Sequence, residues 1–111
     1  MNKAIFLDRD GVIIKNHKFV TRINDIEFIE KSLEAILLLK QKGYLIFIIT
    51  NQAGIAFGHI TSSKVDKLNN FISEKVKTFG ANIDNIYSCP YLHSMFKCNS
   101  FFKNFSWRFI V

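Results

Sequence analysis

The chain has 111 residues, enough for one small domain with a core of its own, and its 49% hydrophobic and 22% charged residues exclude a disordered or low-complexity class. No apolar run nears the ~18 residues of a membrane span, Asp8 arrives too early for a secretory leader, and two cysteines are too few for a disulfide framework. These readings predict a cytoplasmic protein with no membrane partner, in which Cys89 and Cys98 are thiols or metal ligands. The net charge is +6, unevenly spread: residues 1–90 hold twelve basic and nine acidic residues, and only Lys97, Lys103 and Arg108 are charged beyond them.

In chain order the pattern alternates strand and helix. Residues 3–8 (KAIFLD) form a short apolar run ending in a carboxylate. Residues 30–43 read as a helix, with Leu33, Ile36 and Leu37 spaced i, i+3, i+4 and Gly43 at its end. Residues 44–50 (YLIFIIT) are continuously apolar, as in a strand covered on both faces. A second helix is predicted over 62–79, where Val65, Leu68, Ile72, Val76 and Phe79 step by three or four before Gly80. Residues 83–88 read as a third strand. The order β-α-β-α-β predicts an α/β, Rossmann-like parallel sheet with right-handed crossovers. Ligands bind beyond the carboxyl ends of such strands, which directs attention to residues 8–10, 50–52 and 89 onward.

The first of these ends carries the clearest chemistry. Asp8 and Asp10 stand two apart at a strand end, where extended geometry turns both carboxylates the same way, and Gly11 permits a sharp turn after them. Two carboxylates so close repel unless a proton or cation lies between them. Mg²⁺ suits the pair, since it takes oxygen ligands and keeps phosphate oxygens in its shell. The arrangement predicts phosphoryl transfer, one carboxylate attacking phosphorus and the other exchanging protons with leaving group and water.

The string DRDGV after an apolar strand resembles the first motif of the haloacid-dehalogenase superfamily. That resemblance implies Asp8 as nucleophile and Mg²⁺ ligand, and Asp10 as general acid/base and second Mg²⁺ ligand through its carbonyl. Thr50, closing the next core strand, resembles the second motif, whose hydroxyl holds the transferring phosphoryl group. Residues 50–56 (TNQAGIA), with DRDGVI, resemble the D-glycero-D-manno-heptose 1,7-bisphosphate phosphatases and the related histidinol-phosphate phosphatases. Asn16, His17, Lys18, Phe19 and Val20 match the substrate loop of that family, and residues 26–29 the stretch before its first helix. The implied substrate contacts are Asp8, Arg9, Asp10, Asn16, His17, Lys18, Phe19, Thr50, Asn51, Gln52 and Ala53, on a phosphorylated sugar and in a monomer. TNQxGI also occurs in polynucleotide 3′-phosphatases, but Cys89-Pro90 falls where the heptose enzymes begin a zinc loop, so nucleic-acid ends are the lesser reading.

Several positions depart from the family. Ile14 stands where Asn is usual, Lys31 where Gly precedes the first helix, and Phe57 where Arg would offer a guanidinium. Of the zinc pattern Cys-x-His and Cys-x-Cys, Cys89 keeps its place, Tyr91 takes the His place, and His93 and Cys98 fall out of step. The third motif, Arg-Lys-Pro, and the fourth, Gly-Asp-x-x-x-Asp, do not occur, and no acid follows Asp84. The resemblance covers residues 2–90, the N-terminal half of the haloacid-dehalogenase fold. Residues 91–111, basic and holding five of the twelve Phe, read as a divergent tail. Two further readings follow: a truncated or frameshifted remnant without catalysis, and a tail that binds anionic surfaces.

Overall fold

The computed structural model describes residues 3–17 and 20–89. Lys18, Phe19, His93, Cys98 and the whole predicted tail lie outside them. The described chain runs β1 (Lys3–Asp8), a 3₁₀ turn (Ile23–Asp25), α1 (Ser32–Gln41), β2 (Tyr44–Asn51), α2 (Ala53–Ala56), α3 (Ser62–Thr78) and β3 (Asn85–Cys89). The strands pair in parallel in the order β1-β2-β3. The α/β parallel sheet expected from the sequence is therefore present.

Register explains the core. Leu7 lies beside Ile48 and Ile48 beside Ile86, forming an apolar row across one sheet face. Against this row pack Ile36 from α1 and Val65, Leu68, Ile72 and Val76 from α3. Both helices cover the same face because each links adjacent parallel strands by a crossover of one hand. On β2 the residues facing that core, Ile46, Ile48 and Thr50, are buried, whereas Leu45, Phe47 and Ile49 are only partly so. The strand that reads as covered on both faces is buried fully on one and partly on the other. On its other side Phe6 stacks on Phe47 at 5.3 Å and Phe47 tilts against Tyr87 at 6.4 Å.

Element ends differ from the sequence expectation for local reasons. The first helix starts at Ser32, not residue 30, because Lys31 takes a left-handed conformation with φ 65°. β3 starts at Asn85 because Asp84 turns aside. Its carboxylate accepts from the Ile46 N–H at 2.7 Å and the Lys40 ammonium at 2.8 Å. α2 is not foreseen by the sequence reading, since four residues containing a glycine display no helical period. None of the described helices is long and apolar enough to cross a membrane.

Candidate active site

The site forms where β1 and β2 end. After Asp8 the chain closes a tight turn: the N–H groups of Ile13 and Ile14 donate to the Arg9 carbonyl at 3.0 and 3.1 Å, and Gly11 N–H donates to Ile14 at 2.8 Å. Gly11 holds φ 84°, a conformation costly to any residue with a Cβ. Ile14, in the position where the resembled family has Asn, is fully buried in the core and packs rather than faces the site.

The turn places Asp10 over the end of β2. Gln52 Nε2 donates to Asp10 Oδ2 at 3.1 Å and to Thr50 Oγ1 at 2.6 Å, and the Thr50 hydroxyl lies 3.4 Å from the same carboxylate oxygen. Thr50 and Gln52 are both buried, and the Gln52 N–H donates to the Cys89 carbonyl at 2.7 Å, which ties this corner to β3. Arg9, expected from the resemblance as a substrate contact, is 1% exposed. Its guanidinium turns inward and grips Asp10: Nε and Nη2 reach Oδ1 at 3.2 and 3.1 Å, and Nη2 reaches Oδ2 at 3.1 Å. A buried cation needs such a partner, because desolvation without one is prohibitive.

Asp8 is in a different state. No described side chain donates to its carboxylate. Partial burial, the strongest influence, raises its pKa; the Arg9 N–H opposes this, the Asp10 charge adds to it, and the Arg9 charge opposes it, leaving the carboxyl above its usual range. A more basic carboxylate is a better nucleophile, and a cation nearby would relieve its crowding. The donor set fits Mg²⁺, which is commonly held by one or two carboxylates together with water and phosphate oxygens. Among the described residues no third acid, His or Cys gathers with them.

Beside the carboxylates lies a cleft of about 250 Å³ lined by Arg9, Asp10, Asn16, His17, Val20, Asn51, Gln52, Ala53 and Gly54. Seven predicted substrate residues thus share one cavity, and the Thr50 hydroxyl lies 3.4 Å from Asp10 in its lining. One wall is braced from outside, where Glu27 accepts from Lys15 at 2.5 Å and lies 3.5 Å from His17. Phe57 is 55% exposed and tilts against His59 at 5.9 Å, so an aromatic ring stands where the family would offer a guanidinium. Cys89, where the resembled family would begin its zinc loop, ends β3 and is buried, and the rest of that expected loop lies outside the described residues.

Two residues that the sequence reading passed over also belong here. Asn69 of α3 accepts from Arg9 Nη1 at 3.1 Å and donates to Ser88 Oγ of β3 at 2.9 Å. The signal was legible: Asn69 falls four residues after Val65 and three before Ile72, on the helix face that is otherwise apolar.

The profile of the polynucleotide kinase 3 phosphatase family matches residues 3–101. Among curated proteins, the D-glycero-beta-D-manno-heptose-1,7-bisphosphate 7-phosphatase of Pasteurella multocida is 41% identical over 91 residues, spanning 82% of this chain and 50% of that protein. The D-glycero-alpha-D-manno-heptose-1,7-bisphosphate 7-phosphatase of Campylobacter jejuni is 42% identical over 90 residues, spanning 81% of this chain and 52% of that protein. The D,D-heptose 1,7-bisphosphate phosphatase of B. bronchiseptica, solved with magnesium and phosphate, superposes with TM-score 0.76 at 30% identity, over 80% of this chain and 50% of its own. The chain therefore spans about half the length of the curated relatives it matches, and its sheet is the N-terminal part of the haloacid-dehalogenase fold.

Proposed function

The chain belongs to the polynucleotide kinase 3 phosphatase family, and from that membership we propose that it carries the nucleophile-bearing part of a Mg²⁺-dependent phosphatase for a sugar phosphate, D-glycero-D-manno-heptose 1,7-bisphosphate first among them. The observation that carries this reading is the pair of aspartates at the end of β1, one crowded and raised in pKa, the other fixed by Arg9, Gln52 and Thr50. The substrate follows the names of the similar proteins. Those names include both anomers at nearly equal identity, so they do not choose between them.

In this mechanism the Asp8 carboxylate attacks phosphorus and the bond from phosphorus to the sugar oxygen breaks, leaving an aspartyl-phosphate. Asp10, held in one orientation, gives a proton to the departing oxygen and later takes one from the water that hydrolyses the acyl phosphate. The Thr50 hydroxyl steadies the phosphoryl oxygens. Asn16 and His17 line the cleft where the sugar would lie. Mg²⁺, when bound, screens the negative charge that carboxylate and phosphate bring together. The lysine and second acidic pair of the resembled fold do not occur within these residues, so turnover by the 111-residue chain alone stays near background. A cytoplasmic monomer is part of the same reading.

The test is phosphate release from the heptose bisphosphate with Mg²⁺, by this chain alone and mixed with the C-terminal half of the Pasteurella multocida phosphatase. We expect release that appears on mixing and is lost in Asp8→Asn. If the mixture releases no more than that control, the reading is wrong and the chain is a non-catalytic remnant. A second reading, favoured by the matching family profile, takes a nucleic-acid 3′-phosphate as substrate. Preference of the mixture for a 3′-phosphorylated oligonucleotide over the sugar would establish it.

A further inference from the structure

We propose that Asn69 is a positioning residue for Asp10, acting through Arg9 and anchored by Ser88. The inference rests on the phosphatase reading for the role of Asp10, but its geometry stands apart from turnover. α3 is otherwise a simple amphipathic helix whose buried side consists of Val65, Leu68, Ile72 and Val76, with Asn69 alone among them polar. An asparagine 5% exposed on such a face costs stability unless both ends of its amide are bonded. Here both are. The oxygen accepts from Arg9 Nη1 at 3.1 Å, and the nitrogen donates to Ser88 Oγ at 2.9 Å.

The consequence lies at Arg9. A guanidinium has five N–H donors in a rigid plane, so fixing one edge fixes the others. Asn69 holds the Nη1 edge from the helix layer, and Nε with Nη2 then face both oxygens of Asp10. Ser88 fixes the orientation of the Asn69 amide from β3, beside Thr50 in the sheet register. The relay joins three elements and ends on the carboxylate that must face both leaving group and water. Gln52 and Thr50 touch only Oδ2, whereas Arg9 reaches both oxygens, so they constrain rotation of the Asp10 side chain less. Asn is the residue that suits this node. A carboxylate there would compete with Asp10 for the guanidinium, and an apolar side chain would leave Nη1 buried and unbonded.

The test uses the whole 111-residue chain and two readouts. In nuclear magnetic resonance spectra of the wild type, the Arg9 Nε–H gives a resolved, slowly exchanging signal, and Asp10 gives a single carboxylate carbon signal. In Asn69→Asp, which keeps an acceptor for Arg9, both signals shift while the backbone amide pattern of β1–β3 is retained. Ser88→Ala moves them in the same direction by less. In the mixture described above, Asn69→Asp lowers kcat by about tenfold or more and leaves KM within about twofold, the pattern of a group acting through another in the transition state. Asn69→Leu serves as a second variant if the aspartate variant does not fold. Unchanged Arg9 and Asp10 signals in a folded Asn69 variant would overturn the proposal, as would an unchanged kcat. If the wild-type mixture itself shows no Asp8-dependent release, the functional reading fails, and the resonance data still decide whether Asn69 positions Asp10.

Discussion

Among the described residues, Lys31 is the one non-glycine residue with positive φ, at 65°. It stands where the resembled family has glycine, so a departure visible in the sequence becomes a local strain in the structure. The left-handed region costs a residue with a Cβ roughly 1–2 kcal/mol, part of which glycine returns through its looser unfolded state. Lys31→Gly should therefore stabilise the chain by about 0.5–1 kcal/mol, read as a higher urea midpoint at unchanged slope. No loss of activity should accompany it, since Lys31 is outside the residues lining the cleft. Asp84 gives the opposite case. Burial tends to raise its pKa, but bonds from Lys40 and the Ile46 N–H outweigh this and leave it lowered. A carboxyl depressed in the folded state contributes stability above its unfolded pKa and loses it as pH falls toward the folded one. Asp84→Asn should thus lower the melting temperature at neutral pH, and the gap should close as pH falls through the ordinary carboxylate range.

At the scale of elements, much was legible because the periods are clean. β1 matches its predicted bounds, and β2 and α3 do so within one residue, since continuous apolar runs and i, i+3, i+4 spacing leave few alternatives. What escaped the sequence were features set by neighbours in space. DRDGV marks Arg9 as a residue of the cleft, which it lines, but does not reveal that its guanidinium also bonds the α3 amide 60 residues away. α2 has no period to detect, and Asn69 could be noticed as an oddity but not given a partner. Capping was within reach of the sequence. Thr61 accepts from the Lys64 N–H at 3.2 Å and begins the 17-residue α3, the helix that carries Asn69. Thr61→Ala should cost about 1 kcal/mol by denaturant titration, with the Arg9 and Asp10 resonances unmoved.

At the scale of the molecule, the described residues place three parallel strands under α1 and α3 on one face, an arrangement that brings β1 and β2 to a common end where the site forms. Its chemistry is lopsided. The proposed nucleophile, proton carrier and phosphoryl-facing hydroxyl (Asp8, Asp10 and Thr50) lie within these residues, while the lysine and second acidic pair of the resembled fold do not occur in them. Their absence should cost rate more than placement, because electrostatic stabilisation is usually the largest catalytic contribution. On the proposed mechanism Asp8 takes the phosphoryl group, and the decisive measurement is to trap the acyl phosphate. The chain, complemented with the Pasteurella multocida C-terminal half, would be incubated with heptose bisphosphate and Mg²⁺, quenched into borohydride and mapped by mass spectrometry. A reduced side chain is expected at Asp8, absent without Mg²⁺ and absent in Asp8→Asn. Phosphate release without that mark, or a mark on another residue, would contradict it.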